Sequence, residues 1–345
     1  MKKTFFTLIA LLVCISSFAT IRRVNNNPGV IATGLVYSSF SDAHLAASST
    51  VVDTIYLEPS DISYGGININ KKIVLIGSGY FLDKNPITPF DKRSTKVSGI
   101  SIVGTNSPTT TNPTGTVLYG LTVQSDNGLY GNITFGTSVT TFGITSDISV
   151  IGCLFNTIIR NTYGGGNNLI KRCFIIGDIN NLASNTVISN CIILGSFTGG
   201  STNNLVKNCI IFGGITPNSA VTYNNIIFQG PTATLSFPNE SNVFNNVCVG
   251  CTSTPSFNNF FTTATNTIFQ VAEPRILDDL WDERFKLAVA SPAKTKGVNG
   301  VDCGVFAGPD PYVLSGIPPF PMISAFTQGP TSGGNIPITI SIKRN

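Results

Sequence analysis

A cysteine-centred apolar motif recurs along the chain at a short and nearly constant interval. Three successive copies read LIKRCFIIGDI (169–179), VISNCIILGSF (187–197) and LVKNCIIFGGI (205–215). With one earlier member, the aligned cysteines are 20, 18 and 18 residues apart: Cys153, Cys173, Cys191 and Cys209. A β-rich unit of this length, punctuated by Gly and Asn, is typical of a solenoid rather than a helical array. The repeat predicts an all-β chain whose coils stack along one axis.

Three further segments align with the cysteine column: YNNIIFQG at Asn225, FNNVCVG at Asn246 and LYGLTVQ at Gly120. We expect the cysteines to point into the coils as small buried apolar side chains, a role that free cysteine fills readily. A metal site or a redox ladder is the alternative. No His or carboxylate recurs beside the column, which favours the structural interpretation.

Asparagines form a second column, one residue before the first: Asn190, Asn208, Asn224 and Asn245. Asparagine tolerates the left-handed backbone that a tight corner requires, and stacked amides can hydrogen-bond along a ladder. We therefore interpret these residues as structural rather than ligand-binding.

The residues after the cysteine column are also apolar. They are Leu154, Phe174, Ile192, Ile210 and Ile226, followed two positions later by Asn156, Ile176, Leu194, Phe212 and Phe228. Strand alternation points them outward, and strands that are apolar on both faces are normally covered on both. The chain's own tail is one cover; the alternative is another molecule, including a homo-oligomer formed through this face.

The first 19 residues have the pattern of a secretory signal peptide. Lys2 and Lys3 precede an apolar run from Phe5 to Ile15, and a small-x-small site ends at Ala19. A lipoprotein anchor at Cys14 is the rival, which the preceding Val13 disfavours. No later run is long enough to cross a bilayer. We expect a secreted protein, located outside the cell, on its surface or in the periplasm.

The rest of the chain divides into three parts. Residues 20–64 form an N-terminal cap and first coil, in which SDAHLAASS (41–49) predicts a short helix with Ser41 as its N-cap. Residues 65–304 form the β-helix, from which 105–116 leave as a loop. Residues 305–345 form a proline-rich tail that packs on the β-helix or extends from it; within it, 324–335 are expected to be a flexible link and 335–345 a strand.

Charge and cysteine content exclude some functions. Charged residues make up 11% of the chain and the net charge is +4, without the basic stripe that nucleic-acid binding requires. Seven cysteines follow the signal peptide, and Cys248-x-x-Cys251 suggests a local disulfide. Half a metal site is the alternative, but no second CxxC completes it. The state of Cys303 is left open.

Segments at both ends of the chain and the repeats between them resemble a known group of proteins. The segments are DTIYLEPSDISYGGININKKIVLIGSGYFL (53–82) and FKLAVASPAKTKGVNGVDCGVFAGPDPYVLSGIPPFP (285–321), and between them lie the N-C-x-I coils. The chain resembles secreted right-handed parallel β-helix proteins of the pectin-lyase-like superfamily. The resemblance implies a single-stranded right-handed parallel β-helix with a short N-terminal capping helix.

The superfamily's familiar members are polysaccharide lyases and hydrolases. Such lyases hold Ca²⁺ with clustered carboxylates and use an Arg or Lys base, whereas the hydrolases use several Asp on one strand face. Neither set is found here, because the acids between Val97 and Ala272 do not align in adjacent coils: Asp126, Asp147, Asp178 and Glu240. Catalytic residues are therefore not identified. No cofactor is expected, and Ca²⁺ would enter only with an enzyme function.

One acidic run is the best candidate for a ligand site. DDLWDERF (278–285) gathers Asp278, Asp279 and Asp282 around Trp281, the only tryptophan. It could bind a cation or stack a sugar on the indole. A solvated acidic turn with a buried indole is the alternative that charge runs usually favour. The only histidine, His44, is expected at the surface.

Three functions follow from these observations. The leading hypothesis is a non-catalytic secreted protein that binds polysaccharide or cell-surface and matrix glycans. The second is a polysaccharide lyase or glycoside hydrolase with scattered catalytic residues, for which Asp126 and Asp147 would be tested first. The third is a structural or assembly protein of the cell surface.

Overall fold

Short parallel strands dominate the chain, and successive coils contribute strands to shared sheets. A computed structural model describes residues 19–104, 112–136, 145–160, 165–229, 240–251, 255–272, 274–275, 280–331 and 333–344. The strands pair with the equivalent strands of the coils before and after them, so that each sheet runs along the stack. This arrangement confirms the predicted all-β parallel β-helix.

The first sheet, sheet I, has eleven parallel strands within the described residues. In order along the stack they are Val36–Tyr37, Ile21–Val24, Asp53–Leu57, Ile73–Ile76, Val117–Tyr119, Ser149–Ile151, Leu169–Lys171, Val187–Ser189, Leu205–Lys207, Val221–Tyr223 and Val243–Phe244. A left-handed corner follows most of these strands and leads into the second sheet.

Two further faces complete each coil. Sheet II consists of Lys96–Val97, Thr122–Val123, Leu154–Phe155, Phe174–Ile175, Ile192–Ile193, Ile210–Ile211, Ile226–Phe228, Val247–Val249 and Phe260–Thr262. The third face has a four-stranded and a three-stranded part: Gly66–Ile69, Gly99–Ile102, Ile133–Phe135 and Ile158–Arg160, then Ile179–Asn180, Phe197–Thr198 and Ile215–Thr216. Short 3₁₀ helices lie at Thr265–Thr267, Asp282–Phe285, Val298–Gly300 and Leu314–Gly316.

The cysteine column points into the coils, as predicted. All four thiols are completely buried and free of disulfides: Cys153, Cys173, Cys191 and Cys209. Burial raises the pKa of the Cys153 and Cys191 thiols, which keeps them in the neutral form that packs as an apolar side chain. The column therefore contributes to the hydrophobic core. Cys248 and Cys251 form a disulfide, and Cys303 is a free buried cysteine.

The column changes from thiol to amide after Cys209. Asn225 Oδ1 accepts a hydrogen bond from the Cys209 amide at 2.7 Å, and Asn246 Oδ1 accepts one from Asn225 Nδ2 at 2.9 Å. Asn259 continues the series, accepting from Asn246 Nδ2 at 3.1 Å. These amides are buried, and each replaces hydration with partners in the neighbouring coils. An amide ladder thus lies inside the coils on the cysteine column, and not on the corner column for which the sequence predicted one.

The predicted alignment is wrong by one residue at its upstream end. Tyr119 pairs with Ile151, which places Gly120 beside Gly152 and Leu121 beside Cys153. Gly120 and Gly152 have φ of 59° and 57°, so both occupy the left-handed corner. The inward position of this coil is filled by Leu121, which is completely buried.

A helix caps the first coils, as expected, although its start differs. Helix α1 spans Phe40–Ala46, and its N-cap is Ser39, whose Oγ accepts a hydrogen bond from the Asp42 amide at 3.1 Å. The predicted cap, Ser41, lies inside the helix. The surface position predicted for His44 is also wrong, because the residue is 8% exposed and its ring stacks on Phe40. Burial, with the nearby Lys71, lowers its pKa to about 4.

The outward apolar residues of sheet II are buried beneath a later part of the chain. Leu154, Phe174, Ile192, Ile210 and Ile226 share one cluster with residues of the covering segment, which begins earlier than the tail predicted at 305: Ile268, Phe269, Leu280, Phe285, Ala293, Cys303, Val305 and Tyr312. The outer face of sheet II, for which the sequence analysis considered a homo-oligomer, is therefore covered by the chain itself.

Corner asparagines hold this covering segment. Asn190, Asn208 and Asn224 have φ of 52°, 53° and 58°, which confirms their left-handed backbone. Asn190 Nδ2 donates to the carbonyls of Val305 and Ala307 at 2.8 and 3.0 Å. Asn224 Oδ1 accepts from the Val298 amide at 2.8 Å. These hydrogen bonds join the corner asparagines to the covering segment. The sequence predicts that the amides stack on one another instead.

The chain ends in an antiparallel hairpin of Pro321–Gln328 and Ile338–Arg344. Residues 324–328, predicted to begin a flexible link at 324–335, belong to the first strand. The second strand lies within the segment 335–345 that was predicted to be a strand. The Phe90 amide donates to the Ile323 carbonyl at 2.7 Å and thereby joins the hairpin to the β-helix. None of the described helices has the length and apolar character needed to span a bilayer.

The buried amide ladder yields a stability prediction. Replacing Asn246 with Leu should lower the free energy of unfolding by about 2–4 kcal/mol, because the substitution removes the acceptor of the buried Asn225 backbone amide and the donor to the Thr222 carbonyl. Urea denaturation followed by circular dichroism measures the change. Cys191→Ala, in an apolar part of the same column, is the control and should cost less. An equal or smaller loss for Asn246→Leu would contradict the ladder's role.

Candidate functional site

A continuous row of outward side chains runs along sheet I, next to its corner with sheet II. We call it the outer row, and strand register aligns its members as Tyr56, Ile76, Tyr119, Ile151, Lys171, Ser189, Lys207, Tyr223 and Phe244. At about 4.8 Å per strand, the row is roughly 38 Å long. Its length and straightness follow directly from the stacking of the coils.

The edge of the covering segment turns part of the outer row into two adjoining grooves. The apolar groove has a volume of about 630 Å³ and includes Tyr56 and Ile76, and the basic groove has about 340 Å³ and includes Tyr119, Ile151 and Lys171. Ile317 and Pro318 line both. Ile317 and Pro318 thus belong to both grooves, and the two grooves lie beside successive members of the outer row.

Close backbone contact fixes the wall of the basic groove. Gly316 has φ of 54°, and a Cβ at this position would overlap the carbonyl of Gly152. A glycine is therefore required on the covering segment where it crosses the corner. The adjacent Gly120 meets the ring of Pro318 in the same way. These contacts set the distance between Pro318 and the outer row.

Positive charge is concentrated in and beside the basic groove. Lys171 and Arg172 both form ion pairs with Asp310, so two cations share one carboxylate. Lys207 lies two strands from Lys171 in the row, at roughly 10 Å, and is half-buried without an ion pair to any described residue. The lining of the basic groove includes no Asp or Glu in the described part of the chain.

Aromatic rings accompany these charges. Tyr119 makes an edge-to-face contact with Phe320, the centroids 6.2 Å apart. Further along the row, Tyr223 and Phe244 stack with centroids 5.3 Å apart and planes inclined by 13°. All four rings keep part of their surface in solvent. Large, rigid rings beside a few polar groups are the usual composition of a binding site for a small molecule or polymer.

The apolar groove lies between the β-helix and the terminal hairpin. Phe90 packs against Phe326 at 5.9 Å, and Met322 and Ile323 also line the space. Asp91 supplies a carboxylate at its margin. The Arg93 side chain holds the pKa of that carboxyl below its usual value, which keeps it ionised and paired.

The described part of the acidic run, residues 280–285, divides between surface and core. Trp281 is half-buried, and Arg284 and Lys84 lie 5.1 and 5.9 Å from its ring centre, so two cations already contact the indole. Asp282 points away from solvent and is completely buried. Asp278 and Asp279 lie outside the described residues. The ligand-binding role predicted for this run stays a prediction, with Asp282 facing inward.

Asp282 instead fastens the covering segment to the β-helix. Asn85 Nδ2 donates to Asp282 Oδ1 at 2.7 Å, and the Ser315 amide donates to Oδ2 at 2.6 Å. The hydroxyls of Tyr80 and Tyr312 are hydrogen-bonded to each other beside this group. Burial raises the pKa of Asp282 to about 6, although the Asn85 and Ser315 donors oppose the change.

The acids proposed for an enzyme lie elsewhere. Asp126 accepts a hydrogen bond from the Ser63 amide at 3.1 Å, and Asp147 has a left-handed backbone with φ of 58°. Neither lines the two grooves. The described residues contain no group of three or more His, Cys, Asp or Glu side chains arranged to hold a metal ion.

Sequence reasoning missed the outer row, although a signal for it was present. Its central members occupy the position just before the corner residue in each repeat, so Lys171 and Lys207 precede Arg172 and Asn208. Aligning that position would have shown alternating basic, small and aromatic residues. The contribution of Pro318 and Phe320 could not be found in this way, since the covering segment is outside the repeat.

When compared with known protein families, curated proteins and solved structures, the chain matched none of them. The parallel β-helix therefore rests on the strand pairing described above.

The buried carboxyl predicts a pH-dependent stability. The folded state raises the Asp282 pKa from 3.8 to about 6, so it favours the protonated form. Stabilisation from this group is complete below about pH 4 and is lost as the pH rises through 6, a change on the order of 3 kcal/mol in the free energy of unfolding.

Urea unfolding at a series of pH values tests this expectation. Asp282→Asn should flatten the profile between pH 4 and 6, whereas Asp83→Asn removes the same charge from an exposed position and should leave the profile as it is. An unchanged slope in Asp282→Asn would show that this carboxyl does not titrate in that range.

Proposed function

We propose that this protein is an exported, non-catalytic member of the pectin-lyase-like superfamily that binds an acidic polysaccharide along the outer row. The observation that carries the proposal is the outer row itself, in which aromatic rings and cations follow one another in strand register, with the two grooves beside the part from Tyr56 to Lys171. A polymer in an extended conformation matches a row of this length, and most coils present a partly exposed side chain to it, Ile76 and Ser189 being buried.

The charge of the row favours an acidic ligand. Asp310 offsets only one of the two cations that it contacts, and Lys207 adds another at roughly 10 Å along the row. Uronate or sulfate groups would pair with these cations, and the rings of Tyr223 and Phe244 offer flat apolar surface to the sugar rings between them. A neutral glycan would leave the cations without partners.

Two further parts of the proposal rest on the sequence. Export is supported by the pattern of residues 1–19, and the Cys248–Cys251 disulfide is compatible with an oxidising location. The superfamily assignment is supported by the resemblance of 53–82 and 285–321, together with the parallel β-helix itself.

Binding to defined oligosaccharides tests the proposal. Isothermal titration with a uronic-acid oligomer should show saturable binding that weakens as salt is added, whereas a neutral oligomer of equal length should bind less. Lys207→Gln should weaken binding of the acidic oligomer by roughly fivefold, the loss of about 1 kcal/mol expected for one partly exposed ion pair. Lys294→Gln, another half-buried lysine without an ion pair to any described residue, should change nothing.

Two results would overturn this function. Equal weakening by both substitutions would show only a general effect of net charge. Release of new reducing or unsaturated ends from the oligomer would instead support the lyase or hydrolase alternative, with Asp126→Asn and Asp147→Asn as the next variants.

Export has its own test. When the full chain is expressed in a cell with a secretion pathway, N-terminal sequencing of the protein recovered outside the cytoplasm should begin at Thr20. Recovery of intact Met1 in the cytoplasm alone would contradict export.

A further inference from the structure

The terminal hairpin exposes an unusual amount of apolar side chain. Register places Ile340 opposite Phe326 and Ile342 opposite Ile323, so these residues share one face of the hairpin. Phe326 and Ile323 line the apolar groove, whereas the second strand extends beyond it, with Ile338, Ile340 and Ile342 exposed by 55%, 52% and 68%. Contiguous apolar surface of this kind marks an interaction site.

The same strand has a free edge. Ile338–Arg344 pairs with Pro321–Gln328 on one side and with no other described strand. The Gly329 amide donates to the Pro337 carbonyl at 2.9 Å, which makes 337 and 329 a hydrogen-bonded pair. Because such pairs alternate in antiparallel sheets, the amides and carbonyls of 338, 340 and 342 point away from the hairpin. They are available to another strand.

The sequence of this edge is complementary to itself. Ile338-Thr339-Ile340-Ser341-Ile342 is nearly palindromic about Ile340. Antiparallel pairing of two copies would place Ile338 opposite Ile342, Ile340 opposite its equivalent, and Thr339 opposite Ser341. Apolar side chains would meet on one face and hydroxyls on the other, the pairings that stabilise antiparallel strands.

Charge also favours this arrangement over a parallel one. Lys343 and Arg344 follow the palindrome. In the antiparallel pair they lie at opposite ends, whereas parallel pairing would bring like charges together. Pro337 precedes the palindrome and has no amide hydrogen, so the pairing is limited to a short segment. A limited, two-fold symmetric contact closes with two chains and does not continue as a fibre.

We propose that two copies of this chain associate through their Ile338–Arg344 strands to form a four-stranded antiparallel sheet. The contact area fits a dimer that forms with increasing concentration. With ~200 Å² for a fully exposed large side chain, Ile338, Ile340 and Ile342 offer roughly 350 Å² per chain, to which the paired backbone adds, against about 800 Å² per partner in a standard stable complex. This contact is separate from the outer row and does not depend on glycan binding.

Light scattering coupled to gel filtration, on the purified protein at increasing concentration and without glycan, tests the dimer. We expect twice the monomer mass for the unmodified protein and the monomer mass for Ile340→Lys, because the two equivalent positions face each other. Thr339→Lys adds the same charge on the opposite face and should remain a dimer. An unmodified protein that is monomeric throughout, or an Ile340→Lys variant that stays dimeric, would overturn the proposal.

A charge-complementation experiment identifies the register. Ile340→Glu alone should be monomeric, whereas an equimolar mixture of Ile340→Glu and Ile340→Lys should recover the dimer mass. Failure of the mixture to recover it would show that the 340 positions do not face each other and would reject the proposed pairing.

Discussion

The burial of sheet II determines the outside of this molecule. Its strands are apolar on both faces, so the inner side chains complete the core while the outer ones require a second cover. The described residues between Ile268 and Tyr312 provide that cover, and the elements among them are short 3₁₀ helices. An irregular segment can bury such a face only if its backbone polar groups find partners, and the corner asparagines supply several of them.

One residue type thus serves two needs at the corners. Asparagine accepts the left-handed backbone that turns the chain from sheet I to sheet II, and its side chain then binds the cover. Where the corner residue is Gly152 or Gly120, the covering chain approaches the corner directly instead. The two grooves beside the outer row are a consequence of this packing, because Ile317 and Pro318 lie next to sheet I and form a wall there.

The features that repeat could be predicted from the sequence, and those that occur once could not. The cysteine column recurs every 18 to 20 residues and the left-handed asparagines every 16 to 21, so alignment alone identified their positions. The alignment put Gly120 in the cysteine column in place of Leu121, because this coil lacks the cysteine that anchors the alignment. His44, Asp282 and the hairpin strand from Pro321 depend on contacts between distant parts of the chain, for which local pattern gives no signal. Aligning the repeats could have predicted which residues lie side by side in the outer row. The grooves beside the row could not be predicted in this way, because the covering segment forms part of their lining.

The change from cysteine to asparagine inside the coils gives the two ends of the β-helix different tendencies to open. At the N-terminal end, α1 closes a core of Ile and Leu side chains, and opening there would expose apolar surface to water. At the other end the column consists of Asn225, Asn246 and Asn259, whose amides exchange their protein partners for water at little cost once a coil is loosened. Once the covering segment has released the coils, we therefore expect local unfolding to start at the C-terminal coils and to move toward Cys209. Hydrogen exchange along the chain would follow the same gradient.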